Sequence, residues 1–140
     1  MTRIPASVLG GLVFVVCSAA LVRADERWSA FAETGTIEIL TVDADGDLRE
    51  TPVWIVVLDD TAYVRTNDSR WLANIRRGST VTLRSGDVEL AVQAEESEEP
   101  EEFDRVEEAF KTKYGWMQRI MSTFRMSRPT LLRLTPKPVD

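Results

Sequence analysis

Four side chains able to grip an anion fall close together in the chain: Arg65, Thr66, Ser69 and Arg70. They sit where an alternating run, TAYVRT at 61–66, gives way to the polar break Asn67-Asp68-Ser69 and then to a helical pattern with Trp71, Leu72 and Ile75 on one side. A helix start exposes N–H groups that no intrahelical carbonyl satisfies, and Ser or Asp side chains just before it cap them. The same N–H groups and the helix dipole favour negative charge at that end. Arginines beside such a start add charge-assisted bonds, so the junction is a candidate phosphate seat. Arg65 follows Tyr63 on one face of its run, and an arginine there does not enter a core without a partner. Either an acid or an anion meets that need, and the sequence leaves both open.

The surrounding elements must hold these residues in place. PVWIVVL at 52–58 is apolar at consecutive positions, which predicts a strand covered on both faces, one filling a core and the other under a helix or a second subunit. Asp59-Asp60 turns it into the 61–66 run as a hairpin. Before it, TIEILTV at 36–42 is rich in β-branched residues and predicts a first strand ending at Asp43-Ala44-Asp45-Gly46-Asp47. That corner resembles the start of a calcium loop, but Leu48 stands where such a loop needs glycine and Trp54 where it needs a bidentate acid. A hairpin turn with Gly46 at positive φ is the expectation instead.

Gly78 closes the short helix, and strands follow at 80–84 and 88–94, joined at Ser85-Gly86. The acidic stretch EESEEPEE at 95–102 reads as a solvated link and helix start with Pro100 in the first turn, and with no special role. Phe103, Val106, Phe110 and Tyr114 then form a helical stripe up to Gly115, and Trp116, Met117, Ile120, Met121 and Phe124 form a second beside Arg119 and Arg125. A last strand is expected at 130–134. Near the start, Trp28 and Phe31 at helical spacing predict a packed N-terminal cap. The chain is thus expected to be mainly β, with six antiparallel strands and peripheral helices.

Residues 1–24 carry the marks of an export signal: Arg3, an uncharged run at 4–22, and the small residue Ala24 ahead of Asp25. The expected domain is then 25–140, exported to a periplasmic or extracellular compartment. An uncleaved membrane anchor through 4–22 is the alternative, and this segment would be the chain's one contact with a membrane. Removing 1–24 takes away Arg3 and Arg23 and no acid, so the formal charge of −6 becomes −8. Such a chain has no electrostatic pull toward nucleic acid. Cys17, the single cysteine, lies in the signal, and the chain has no histidine. Thiol nucleophiles, histidine bases and the usual zinc and haem ligands are therefore missing, and no metal site and no catalytic side chain is singled out.

The ordered set DG-x-x-R-x-TPVW at 45–54, YVRT at 63–66 and SRWLANIRRG at 69–78, with FKTKYG at 110–115 and LLRLTP at 131–136, resembles the FMN-binding split β-barrels related to pyridoxamine 5'-phosphate oxidase and their deazaflavin-dependent nitroreductase relatives. The resemblance covers about 35–136. It implies a six-stranded split barrel forming a homodimer, with the cofactor between subunits and an unidentified small-molecule substrate. Pro52, Val53 and Trp54 would flank the cofactor ring, Arg65, Thr66, Ser69 and Arg70 would hold its phosphate, and Asn74 would brace the helix. Trp71 stands where flavin-binding members commonly carry lysine and is similar to the W-x-x-N helix of the deazaflavin branch, so FMN or a deazaflavin is implied. The implied activity is an oxidoreductase whose redox chemistry belongs to the cofactor. The alternative is a cofactor-less periplasmic binding or structural module on the same fold. Haem, which some split barrels bind, would here need Tyr, Met or carboxylate ligands.

Overall fold

The computed structural model describes residues 24–115 and 129–138. The expected signal or anchor falls on 1–23 apart from its last residue, and the second helical stripe with Arg119 and Arg125 falls on 116–128; both lie outside the described residues. The described elements are α1 (Ala24–Ala32), β1 (Thr36–Val42), β2 (Leu48–Trp54), β3 (Val56–Leu58), β4 (Thr61–Thr66), α2 (Arg70–Arg76), β5 (Val81–Ser85), β6 (Val88–Ser97), α3 (Pro100–Tyr114) and β7 (Thr130–Pro136). Among them no helix is long and apolar enough to cross a membrane.

The strands form one antiparallel sheet in the order β2-β1-β5-β6-β7-β4-β3. Its two edges, β2 and β3, are separated in the chain by Ile55 alone. A flat sheet cannot place its opposite edges one residue apart, so the sheet curls until they meet, and the product is a split barrel. This is why the described residues form seven strands where six were expected. The apolar run 52–58 breaks at Ile55: its first half continues β2 back to Leu48 and pairs with β1, and its second half pairs with β4.

Both faces of that run are covered. Val53, Ile55 and Val57 pack into the barrel core with Trp28, Phe31, Ile37, Ile39, Val64, Leu83, Leu132 and Leu134. Trp54, Val56 and Leu58 point the other way, into a second cluster with Tyr63, Val106, Phe110, Leu131 and Tyr114. The cover on the outer face is α3, through the stripe read from the sequence. Each fully buried Leu, Ile or Phe contributes about 1.5–3 kcal/mol. α1 packs against the core through Trp28 and Phe31, and Trp28 Nε1 donates to the Asp60 carbonyl at 3.0 Å.

The turns follow residue chemistry. Gly46 takes φ +96° and Gly78 φ +99°, conformations costly for a residue with a Cβ. Ser69 caps α2: its backbone is extended and its Oγ accepts the Leu72 N–H at 3.3 Å. The first corner is closed by side chains: Arg49 makes two bonds to the Asp43 carboxylate, at 2.8 and 3.0 Å, and Asn74 Nδ2 donates to the same group at 2.8 Å. Asn74 is 3% exposed and also donates to Thr41 Oγ1 at 3.0 Å, so it ties α2 to the end of β1.

The acidic stretch differs from its reading as a solvated link. β6 runs on through Ser97, and Glu102 in the first turn of α3 is only 8% exposed. Arg133 on β7 donates to both its oxygens, at 2.6 and 3.1 Å, Tyr63 on β4 donates at 2.8 Å, and Ser97 donates as well. The Arg133 hydrogen bonds, helped by Ser97 and Tyr63 and opposed by burial, hold the Glu102 carboxyl down to about 2. The special role comes from register: Tyr63 and Arg133 are paired on β4 and β7, and Glu95 on β6 faces Arg133.

Candidate functional site

Where the barrel splits, the end of β2, the end of β4 and the helices α2 and α3 surround a hollow of about 350 Å³. Pro52, Val53 and Trp54 come from β2, Arg65 and Thr66 from β4, Trp71 from α2 and Phe110 from α3, with Thr36 and Asn67 at the rim. Six of the eight residues singled out in the sequence therefore line one cleft. Ser69 and Arg70 do not. The Ser69 hydroxyl is engaged in capping and also accepts from Thr66 Oγ1 at 3.1 Å. Arg70 is exposed and borders a separate shallow hollow with Asp43, Asp45 and Asn74.

An aromatic column backs the cleft. The Trp54 ring stacks on Tyr114 at 4.2 Å between centroids, with planes 6° apart, and Tyr114 stacks on Phe110 at 5.8 Å. The Arg65 guanidinium then lies over the Phe110 ring, its Cζ 3.9 Å from the centroid, within cation–π range. Its side chain is 3% exposed and forms a salt bridge with Glu107, one turn before Phe110 on α3. Of the two partners the sequence left open, the structure supplies the acid.

The peptide at the split is held by the last turn of α3. Tyr114 Oη accepts the Ile55 N–H at 2.9 Å and donates to the Gly35 carbonyl at 2.6 Å. Lys113 Nζ donates to the Ile55 carbonyl at 2.7 Å and lies 3.4 Å from that of Phe31. Burial pushes the Tyr114 phenol up and the Lys113 ammonium down from their ordinary values. Sequence reading placed Tyr114 on the packing stripe and singled out FKTKYG, but gave no role to Glu107 or Lys113. Their targets lie tens of residues earlier, and no local spacing marks them.

The described residues contain no group of three or more His, Cys, Asp or Glu side chains that could hold a metal ion. Among the described residues that line the cleft, Arg65 is the only one with a full charge, and none is a Tyr, Met or carboxylate.

A family model described as "Uncharacterized protein conserved in bacteria (DUF2255)" matches residues 28–134. The chain belongs to the DUF2255 family. The match runs from within α1 to within β7, so nearly all of the barrel and every described residue lining the cleft fall inside it. No functionally curated protein matches the chain.

Several solved structures share the fold. The conserved hypothetical protein Rv2991 from Mycobacterium tuberculosis superposes with a TM-score of 0.66 at 22% identity, covering 84% of this chain and 82% of its own. HutZ, the heme storage protein from Vibrio cholerae, gives 0.61 at 17%, covering 81% and 86%. A FAD-binding protein from Mesorhizobium loti gives 0.57 at 11%, covering 84% and 91%. Proteins provisionally named pyridoxamine 5'-phosphate oxidases share it too. This DUF2255 member is thus a split barrel of the pyridoxamine 5'-phosphate oxidase type, the architecture its sequence resembled.

Proposed function

We propose that this chain is an exported split-barrel oxidoreductase that binds a flavin or deazaflavin in the cleft between β2, β4, α2 and α3. The observation that carries the reading is the convergence of Pro52, Val53, Trp54, Arg65, Thr66 and Trp71 on one hollow. Its walls combine the aromatic rings of Trp54, Trp71 and Phe110 with the polar side chains of Thr36, Arg65, Thr66 and Asn67, and its volume falls in the size range of small-molecule sites. A FAD-binding protein of the same fold supports the flavin class.

When bound, the cofactor supplies the hydride or electron transfer. The protein's own part is to position and shelter. Pro52, Val53 and Trp54 form the ring wall, and the Tyr114 stack fixes the plane of Trp54. Trp71, buried on α2, limits how deep a ligand sits. The cleft is open on one side, and we assign the missing wall to a second copy of the chain in a homodimer. The export signal at 1–24 puts this dimer in the periplasm or outside the cell, with the membrane anchor at 4–22 as the alternative. Haem, suggested by HutZ, would need a Tyr, Met or carboxylate ligand, and none stands among the described residues that line the cleft.

One observation favours a second reading. Arg65 already has a carboxylate partner in Glu107, as expected of a cofactor-less binding module. The visible absorption spectrum of protein recovered from its native compartment separates the two. A flavin or deazaflavin spectrum supports the oxidoreductase; a colourless protein that gains no bound colour with either cofactor leaves the binding module.

A further inference from the structure

We propose that Glu107 sets the ligand specificity of the cleft, selecting against a phosphomonoester dianion and for an uncharged planar aromatic ligand such as a flavin without its phosphate. The proposal rests on the cofactor reading above and names which member of that class the site takes.

Among the described cleft-lining residues Arg65 is the one cationic side chain, and Glu107 is its salt-bridge partner. The pair is asymmetric in exposure. The Arg65 side chain is 3% exposed and fixed over Phe110, whereas that of Glu107 is 24% exposed. A phosphate brought to the guanidinium therefore meets a neutral pair with a carboxylate one guanidinium away, in a partly desolvated site where repulsion between like charges is strong. A dianion feels that repulsion twice over; an uncharged ring does not feel it.

Two of the neighbouring donors are already engaged. The Thr66 hydroxyl lies 2.8 Å from the Asn67 carbonyl and 3.1 Å from Ser69 Oγ, and its one proton is committed locally. Arg70 borders a different hollow, where Asp43 already has Arg49 and Asn74 on its carboxylate. The rings of Trp54, Trp71 and Phe110 in the lining are what an uncharged planar ligand would meet.

The test titrates the purified protein and its Glu107→Gln variant separately with riboflavin and FMN, read by flavin fluorescence. The expected result is that the unmodified protein binds riboflavin at least as tightly as FMN. Glu107→Gln should tighten FMN by about tenfold or more while riboflavin changes by less than about threefold. A preference of the unmodified protein for FMN of about tenfold or more overturns the proposal, as does a variant whose FMN-to-riboflavin ratio is unchanged. A second titration uses inorganic phosphate and follows the arginine Nε–Hε NMR signals, with that of Arg65 assigned from an Arg65→Lys variant. The signal should stay in place in the unmodified protein and move in Glu107→Gln; movement in the unmodified protein overturns the proposal. If neither flavin binds, the cofactor reading fails, and the phosphate titration still decides the role of Glu107. If Glu107→Gln does not fold, the unmodified protein's flavin ratio and phosphate response decide it.

Discussion

Trp54 and Tyr114 lie face to face, ring centroids 4.2 Å apart and planes 6° from parallel, although one ends the edge strand β2 and the other ends α3. The Tyr114 hydroxyl holds the Ile55 N–H, next in the chain after Trp54. Stack and hydrogen bond act on adjacent residues at the point where the chain leaves one edge of the sheet for the other. The last turn of α3 thereby sets both the closure of the barrel and the wall of the cleft.

Tyr114→Phe keeps the stack and removes the hydroxyl, leaving the Ile55 N–H and the Gly35 carbonyl without that partner. The expected cost is about 1–3 kcal/mol in urea denaturation. Tyr114→Ala removes the ring as well and should cost about 3–5 kcal/mol. Equal stability of Tyr114→Phe and the unmodified protein would show that the hydroxyl clasp is unimportant.

Acid stability should depend on Glu102. Its carboxyl is lowered from the ordinary 4.5 to about 2, chiefly by Arg133. A depressed folded-state value contributes stability that is full above about 4.5 and drains away as pH falls toward 2. Asp43, lowered to about 2 first by Arg49 and then by Asn74, acts in the same direction. Glu102→Gln should cost about 2–3 kcal/mol near neutral pH, since it strips Arg133 of a charged partner inside a buried network. It should also flatten the loss of stability between about pH 4.5 and 2. An unchanged acid limb in denaturation curves taken across that range would contradict the assignment.

Asn74→Ala should loosen α2 from the first corner. It removes the donor to Thr41 and Asp43 and the acceptor that Arg77 meets at 2.6 Å. A loss of about 1–3 kcal/mol is expected. The cap variant Ser69→Ala should lose about 1 kcal/mol. Hydrogen exchange should then show α2 amides opening sooner in Asn74→Ala than in Ser69→Ala; the reverse order would place the anchor of α2 at its cap.

Much of the fold was legible because local chemistry and global packing agree. β1, β4, the Ser69 cap, the Gly46 and Gly78 turns and the α3 stripe stand where period and turn residues put them. The break at Ile55 was not, because a run that is apolar at every position looks the same as one buried strand or as two half-strands on opposite sheet edges. The cleft was legible in Arg65 and Thr66 from residue types beside a helix start, and in Pro52, Val53, Trp54 and Trp71 only through the family resemblance. Its charge balance was not: the partner of Arg65 lies on α3, and an acid in an acid-rich helix carries no local mark of burial or pairing. Glu102 was hidden the same way, inside a charge run whose other members are mostly exposed.

The central claim is that the cleft takes a planar ring against Trp54. It is tested most directly by titrating riboflavin into the purified protein and into Trp54→Ala, with the thermal midpoint of each recorded alongside. The account predicts saturable binding to the unmodified protein and about tenfold weaker binding to a Trp54→Ala variant that is still folded. Equal affinity in the two proteins, or no binding to either riboflavin or a deazaflavin by the unmodified protein, would contradict it.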